Sequence, residues 1–219
     1  MRVTTSRDDY VLTVRCSATT RFGDLRDVLE PLTAGHDTRA MVLRLPESSR
    51  SRPDAEELAW LEAFPIPLVA VVPGAVAGAA LDIALHCDIR ICAARSEFMF
   101  DQLGGRRLLL LLGRDRTASL IAAGARCDAQ SALAAGIVSL VADEAELDAE
   151  AARLAATIAS RGPIATRFAK EAMRRGLPLP LAEALRIETD LTVLLQSTED
   201  RAEGVAAFGQ KRTPIFTGN

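Results

Sequence analysis

Gly78, Ala79 and Ala80 put three minimal side chains in a row, and Asp82 follows after a single leucine. Where such a run opens a helix, the first backbone N–H groups have no partner inside the helix. They also sit at the positive end of its dipole, so they can receive negative charge. Asp82, three to four residues beyond Gly78 and Ala79, falls on the same helical face, where a carboxylate can carry a proton to or from whatever is held there. The same residues admit a purely structural account. Small side chains let helices pack closely, and the dipole favours an acid in a first turn without any catalytic duty. His86, Cys87 and Cys92 could be imagined as metal ligands, but the only other histidine is His36 and there is no second ligand pair. They read as buried side chains, and no metal is expected. A hydrolase would have only these two imidazole bases, and no serine elbow accompanies them.

These residues must be positioned by a chain of 219 residues, 49% hydrophobic and 25% charged, which suits one compact domain with or without a helical annex. With 26 basic and 29 acidic residues the formal charge is −3, so no overall field draws the molecule onto nucleic acid or an anionic membrane. Aromatic residues, at 4%, are too few for the stacking platforms of a single-strand binder, so no nucleic-acid partner is expected. The basic residues are almost all arginine, Lys170 and Lys211 being the only lysines. Cys16, Cys87, Cys92 and Cys127 show no paired short spacing, and no secretory leader pattern precedes them. A reduced, cytoplasmic protein is the expectation. Ala63 to Leu81 carries no charge, a length near the roughly 20 apolar residues of a membrane helix. Pro65, Pro67, Pro73 and Gly74 break that reading into a strand, a turn and a helix start, so no membrane partner is expected.

Alternation predicts a strand over Tyr10 to Cys16, and helical spacing of Phe22, Leu25, Val28, Leu29 and Leu32 predicts a helix near residues 21–33. Strands follow at Ala40 to Leu45 and Leu68 to Val72, separated by a polar loop over 46–52 and a helix that Pro53 opens. The all-apolar second strand is of the kind buried on both faces, and strands alternating with helices argue for a largely parallel sheet in an α/β core. Further strands are expected at Asp88 to Cys92, Glu97 to Phe100 and Ile137 to Val141. Helical segments are expected near 116–123, 128–135, 144–160, 164–175, 180–196 and 199–210.

The run PIPLVAVVPGAVAGAALDIALHCDIRICAARSEF resembles the central signature of the crotonase (enoyl-CoA hydratase and isomerase) superfamily. In that family a buried strand, a glycine turn and a glycine-rich helix start precede an alanine-cysteine-aspartate stretch. The run LLGRDRTASLIAAGARCDAQSALAAGIVSLVADEAEL resembles the family's following helices, and STEDRAEGVAAFGQKRTPIFTGN resembles its C-terminal tail. The likeness covers roughly residues 65–219. It implies a crotonase-like ββα spiral core over 1–140 and a C-terminal helical annex over 141–219 involved in oligomerisation, as a homotrimer or hexamer. It also implies a coenzyme A thioester as substrate, with no cofactor bound permanently.

By the same resemblance the N–H of Ala79, beside Gly78, matches one donor of the oxyanion hole that holds a thioester enolate, at a position where the family usually has glycine. Asp82 matches the site of a catalytic hydratase glutamate and is one methylene shorter. The second hydratase glutamate falls on Gln102, four residues after the phenylalanine that Phe98 matches, and glutamine cannot transfer a proton. Asp101 beside it is a candidate replacement, or else a cap of the following turn. The family's asparagine-arginine-proline loop and its alanine-glycine-alanine-aspartate motif are missing; Ser17 to Thr20 and Pro46 to Arg52 stand in their places. Backbone around Ser48 and Ser49 is the candidate source of the other oxyanion donor, and Arg50 and Arg52 could meet phosphates or simply be solvated. Phe208 and Lys211 match positions that touch the adenine end of coenzyme A from a neighbouring subunit. The implied activity is that of an acyl-CoA hydratase or dehydratase-type lyase. The trimmed, arginine-rich chain is similar to small crotonase-like proteins of actinobacterial secondary metabolism, where one assists a polyketide synthase in forming dihydroxyphenylacetyl-CoA for glycopeptide antibiotics. The alternative is a non-catalytic accessory subunit that lends its surface to a paralogue or a synthase.

Overall fold

The computed structural model describes residues 3–35, 37–47, 52–100, 105–122, 124 and 126–219. The chain opens with β1 (Val3–Asp8) and β2 (Val11–Cys16), an antiparallel hairpin in the register Val3 to Cys16. Then come α1 (Phe22–Leu29), β3 (Ala40–Arg44), α2 (Ala55–Ala63), β4 (Leu68–Val72) and the two-residue β5 (Val76–Ala77). These are followed by α3 (Gly78–His86), β6 (Ile89–Ala93), β7 (Glu97–Met99), α4 (Gly105–Leu112), α5 (Arg114–Ala122) and β8 (Arg126–Asp128). The remainder is α6 (Ala129–Ala135), β9 (Leu140–Ala142), α7 (Leu147–Ala159), α8 (Pro163–Gly176), α9 (Leu181–Gln196) and α10 (Glu199–Gln210).

Six strands form one sheet in the order β1-β2-β3-β4-β6-β9, parallel throughout except for β1. Period-two alternation gives the sheet two apolar faces. Leu12, Val14, Met41, Leu43, Leu68, Ala70 and Val72 join a core completed by α1, α2 and α3, while Val11, Val42, Val69, Val71 and Ile91 face α7 through Leu147, Ala151 and Ala155. Every residue of β4 is buried, as its uninterrupted apolar run requires. Trp60 is partly buried and packs against this core, its ring edge-on to Phe22. A second sheet in the order β5-β7-β8 stands at the point where the chain turns into α3.

Pattern reading does not find β1, β5 or β8; β5 has only two residues, in a stretch read as a turn and a helix start. Five of the six residues of β1 are exposed, so it has no apolar face to betray it, and β8 is only three residues long. The apolar run from Leu108 to Leu112 belongs to helix α4. The strand expected from Ile137 begins at Leu140, because Gly136 ends α6 in the left-handed region (φ 82°) and the N–H groups of Ile137 and Val138 both return to the carbonyl of Ala132. Pro53 stands just ahead of α2, where Asp54 caps the helix by accepting from the N–H of Glu57.

Lys170 on α8 is 8% exposed, and its Nζ lies 2.6 Å from Oδ2 of Asp88 and 3.2 Å from the carbonyl of Ile66. The same carboxylate oxygen accepts from the N–H of Leu68. One buried ammonium thus fastens α8 to the start of β4 and to the α3–β6 turn.

Candidate active site

β4 and β3 run side by side, with Arg44 opposite Val71 and the N–H of Leu45 bonded to the carbonyl of Val71. Their C-terminal ends therefore open on the same edge of the sheet, the edge where ligands gather in parallel α/β folds. Beyond β4 the chain turns through Gly74 and β5 into α3. Ser96 holds this turn by donating to the carbonyl of Val72 at 2.9 Å. Gly78 makes the last bend with φ 54°, a conformation that L side chains take at a cost, and among the described residues nothing beyond its chain neighbours and its own helix lies within 4 Å of where a side chain would begin.

The N-terminus of α3 carries no side-chain cap. Ala79 and Ala80 are buried, Ala79 at 3% exposure, while Gly78, Asp82 and His86 form the one half-buried stripe along the helix. The spacing i, i+4, i+8 thus aims Asp82 to the same side as the open space at Gly78. Asp82 receives Arg52: Nε lies 3.1 Å from Oδ2. His86 donates from Nδ1 to the carbonyl of Asp82 at 2.8 Å, and burial pushes its pKa below the usual imidazole value, so the ring is neutral near pH 7. Arg107 locks the far end of α3, donating from Nε to the carbonyl of Leu85 at 2.7 Å and pairing with Glu62 at 3.0 Å.

Of the residues singled out from sequence, the structure brings together Gly78, Ala79 and Asp82. Ser48, Ser49, Asp101 and Gln102 lie outside the described residues. Phe208, 89% exposed, stands on α10, and Lys211 ends that helix in the left-handed region. Arg52 does not project into solvent as a lone loop arginine but closes on Asp82. Sequence reading passed over Glu47, whose carboxylate packs on the Cα of Gly74, and the signal that points to it is its place just beyond the end of a parallel strand. The cysteines are free thiols; burial pushes Cys87 up to about 12 and Cys16 up to about 11, far from a reactive thiolate. No helix among the described residues is long and apolar enough to cross a membrane.

Residues 30–219 match the enoyl-CoA hydratase/isomerase family, and the chain belongs to it. It is 36% identical over 170 residues to the 2,3-dehydroadipyl-CoA hydratase of Escherichia coli K12, a match covering 73% of this chain and 66% of that protein. To the mitochondrial methylglutaconyl-CoA hydratase of Mus musculus it is 32% identical over 168 residues, covering 71% of this chain and 54% of the relative. The chain thus spans less than two thirds of the length of these curated relatives in the matched region. The crystal structure of an enoyl-CoA hydratase from Bacillus anthracis superposes with a TM-score of 0.88 at 25% identity, covering 100% of both chains. The fold is the crotonase-like α/β core with its C-terminal helices.

Proposed function

We propose that this chain binds an acyl-CoA thioester and adds water to, or removes it from, the carbon chain next to the thioester carbonyl. The enolate oxygen is received at the uncapped N-terminus of α3, with the N–H of Ala79 as donor, and Asp82 moves a proton one turn further along the same helix. The observation that carries this reading is the alignment of an open, left-handed Gly78 with Asp82 on the only uncovered stripe of α3. No cofactor is required beyond the coenzyme A thioester itself. Gln102 in place of a glutamate favours an undemanding reaction, such as a dehydration that ends in conjugation, and the trimmed, arginine-rich chain supports a role in secondary metabolism, such as dihydroxyphenylacetyl-CoA formation beside a polyketide synthase.

Residues 141–219 serve assembly. Met173, Leu181, Val193 and Phe208 are 64% exposed or more on α8, α9 and α10, an amount of bare apolar surface that a second and third copy would cover. A homotrimer or hexamer would bring Phe208 and Lys211 of one copy to the coenzyme A of the next. Light scattering of the Leu181→Asp variant tests this: dissociation to monomer is expected, and a wild-type monomer at micromolar concentration contradicts it.

Arg52 on Asp82 favours a second reading, an accessory subunit whose acid is permanently occupied. Turnover of crotonyl-CoA and 3-hydroxyacyl-CoA by wild type and Asp82→Asn separates the two. The enzyme reading expects a fall of about 10² to 10⁴-fold in the variant. Wild-type protein that neither turns over nor binds the thioesters supports the accessory role.

A further inference from the structure

We propose that Glu47 is the second proton-transferring carboxylate of this site, replacing the acid that Gln102 cannot supply; the proposal rests on the hydratase reading above. Glu47 and Gly74 lie just past the C-terminal ends of β3 and β4, which are neighbours in the sheet. The Glu47 carboxylate sits so close over Gly74 that a Cβ on that residue would fall 2.6 Å from Oε1. A few residues further along the same loop, Arg52 reaches Asp82. Glu47 and Asp82 thus mark the two ends of the segment 74–82, with Ala79 between them along the chain. Glu47 is exposed and has no hydrogen-bond or ion-pair partner among the described residues, so its charge has no structural employment there. Oδ1 of Asp82 is likewise free of any described partner, the guanidinium taking Oδ2.

The division of labour follows. In hydration, an O–H bond of water breaks, its proton passes to the Asp82 carboxylate, and the oxygen bonds to the β-carbon. Protonated Glu47 gives its proton to the α-carbon as the enolate collapses. Asp82 then returns its proton to solvent and Glu47 takes one up, so one water is consumed and no redox partner is needed. Dehydration runs the same steps backwards, Glu47 taking the α-proton.

The test uses the full chain with crotonyl-CoA and 3-hydroxybutyryl-CoA in D₂O, following turnover and α-deuterium incorporation by mass spectrometry. Glu47→Gln is expected to lose turnover and α-exchange by about 10²-fold or more with thioester affinity unchanged, and Glu47→Asp to recover part of both. Gly74→Ala, which keeps the acid but displaces it, is expected to behave like Glu47→Gln. Wild-type activity with full α-exchange in Glu47→Gln overturns the role of Glu47 and leaves the hydratase reading intact. Wild-type protein without turnover or exchange overturns both.

Discussion

Arg52 places its Nε 3.1 Å from Oδ2 of Asp82, so the approach to α2 is tied directly to the half-buried stripe of α3. The pair is partly solvated, the Arg52 side chain being 43% exposed, and pairs of that kind contribute about 1 kcal/mol or less. Arg52→Ala is expected to leave the unfolding free energy within about 1 kcal/mol of wild type in a urea titration. A much larger loss would make the contact a folding element rather than part of the site.

Gly78 enters α3 with φ 54°, and an added methyl group meets no neighbour among the described residues outside its own helix, so the cost there is conformational. Gly78→Ala is expected to destabilise the fold by about 1–2 kcal/mol in chemical denaturation, the penalty of holding an L-residue in the left-handed region. A neutral substitution would show that the turn into α3 relaxes freely.

Lys170 and Asp88 hold α8 to the sheet from within the protein. Lys170→Met keeps the bulk of the stem but removes the ammonium from the Ile66 carbonyl and leaves the Asp88 carboxylate with only the N–H of Leu68, a loss of about 2 kcal/mol. Limited proteolysis is expected to cut the helices after α7 sooner in the variant. Equal resistance would mean that apolar contacts alone seat α8.

The segment after α10 folds back on it through Glu203. The guanidinium of Arg212 and, next, the N–H of Ile215 hold this carboxyl down to about 2, well below its ordinary 4.5. A carboxyl whose folded value lies below its unfolded one stabilises the folded form fully above pH 4.5 and loses that contribution as pH falls towards 2. Hydrogen exchange at the N–H of Ile215 is therefore expected to accelerate between pH 4.5 and 2 beyond the intrinsic rate, and to be fast at neutral pH in Glu203→Gln. Protection that is flat across this window would contradict the clasp.

How much of this was legible in the sequence depended on burial. β4 and α10 fall where their residues predict, because a strand covered on both faces is all apolar and a helix capped by Thr198 has a marked start. The Gly78, Ala79, Asp82 set was readable because helical spacing alone fixes its geometry. β1 escaped notice because an exposed edge strand needs no apolar alternation, and its pairing with β2 supplies the order that its side chains do not. The meeting of Arg52 with Asp82 across 30 positions, and of Glu47 with Gly74, depends on two parallel strands ending side by side. No local pattern encodes that. Lys170 was conspicuous by rarity, but only the tertiary structure shows it buried on Asp88.

The proposed function turns on one contact, the backbone N–H of Ala79 donating to the carbonyl oxygen of an acyl-CoA thioester. Infrared difference spectra of an unreactive coenzyme A thioester, labelled with ¹³C at the carbonyl and bound to the protein, read that contact directly. Polarisation by the helix N-terminus is expected to bring the carbonyl stretch below its frequency in water. A bound thioester whose carbonyl stretch equals the free value would contradict it.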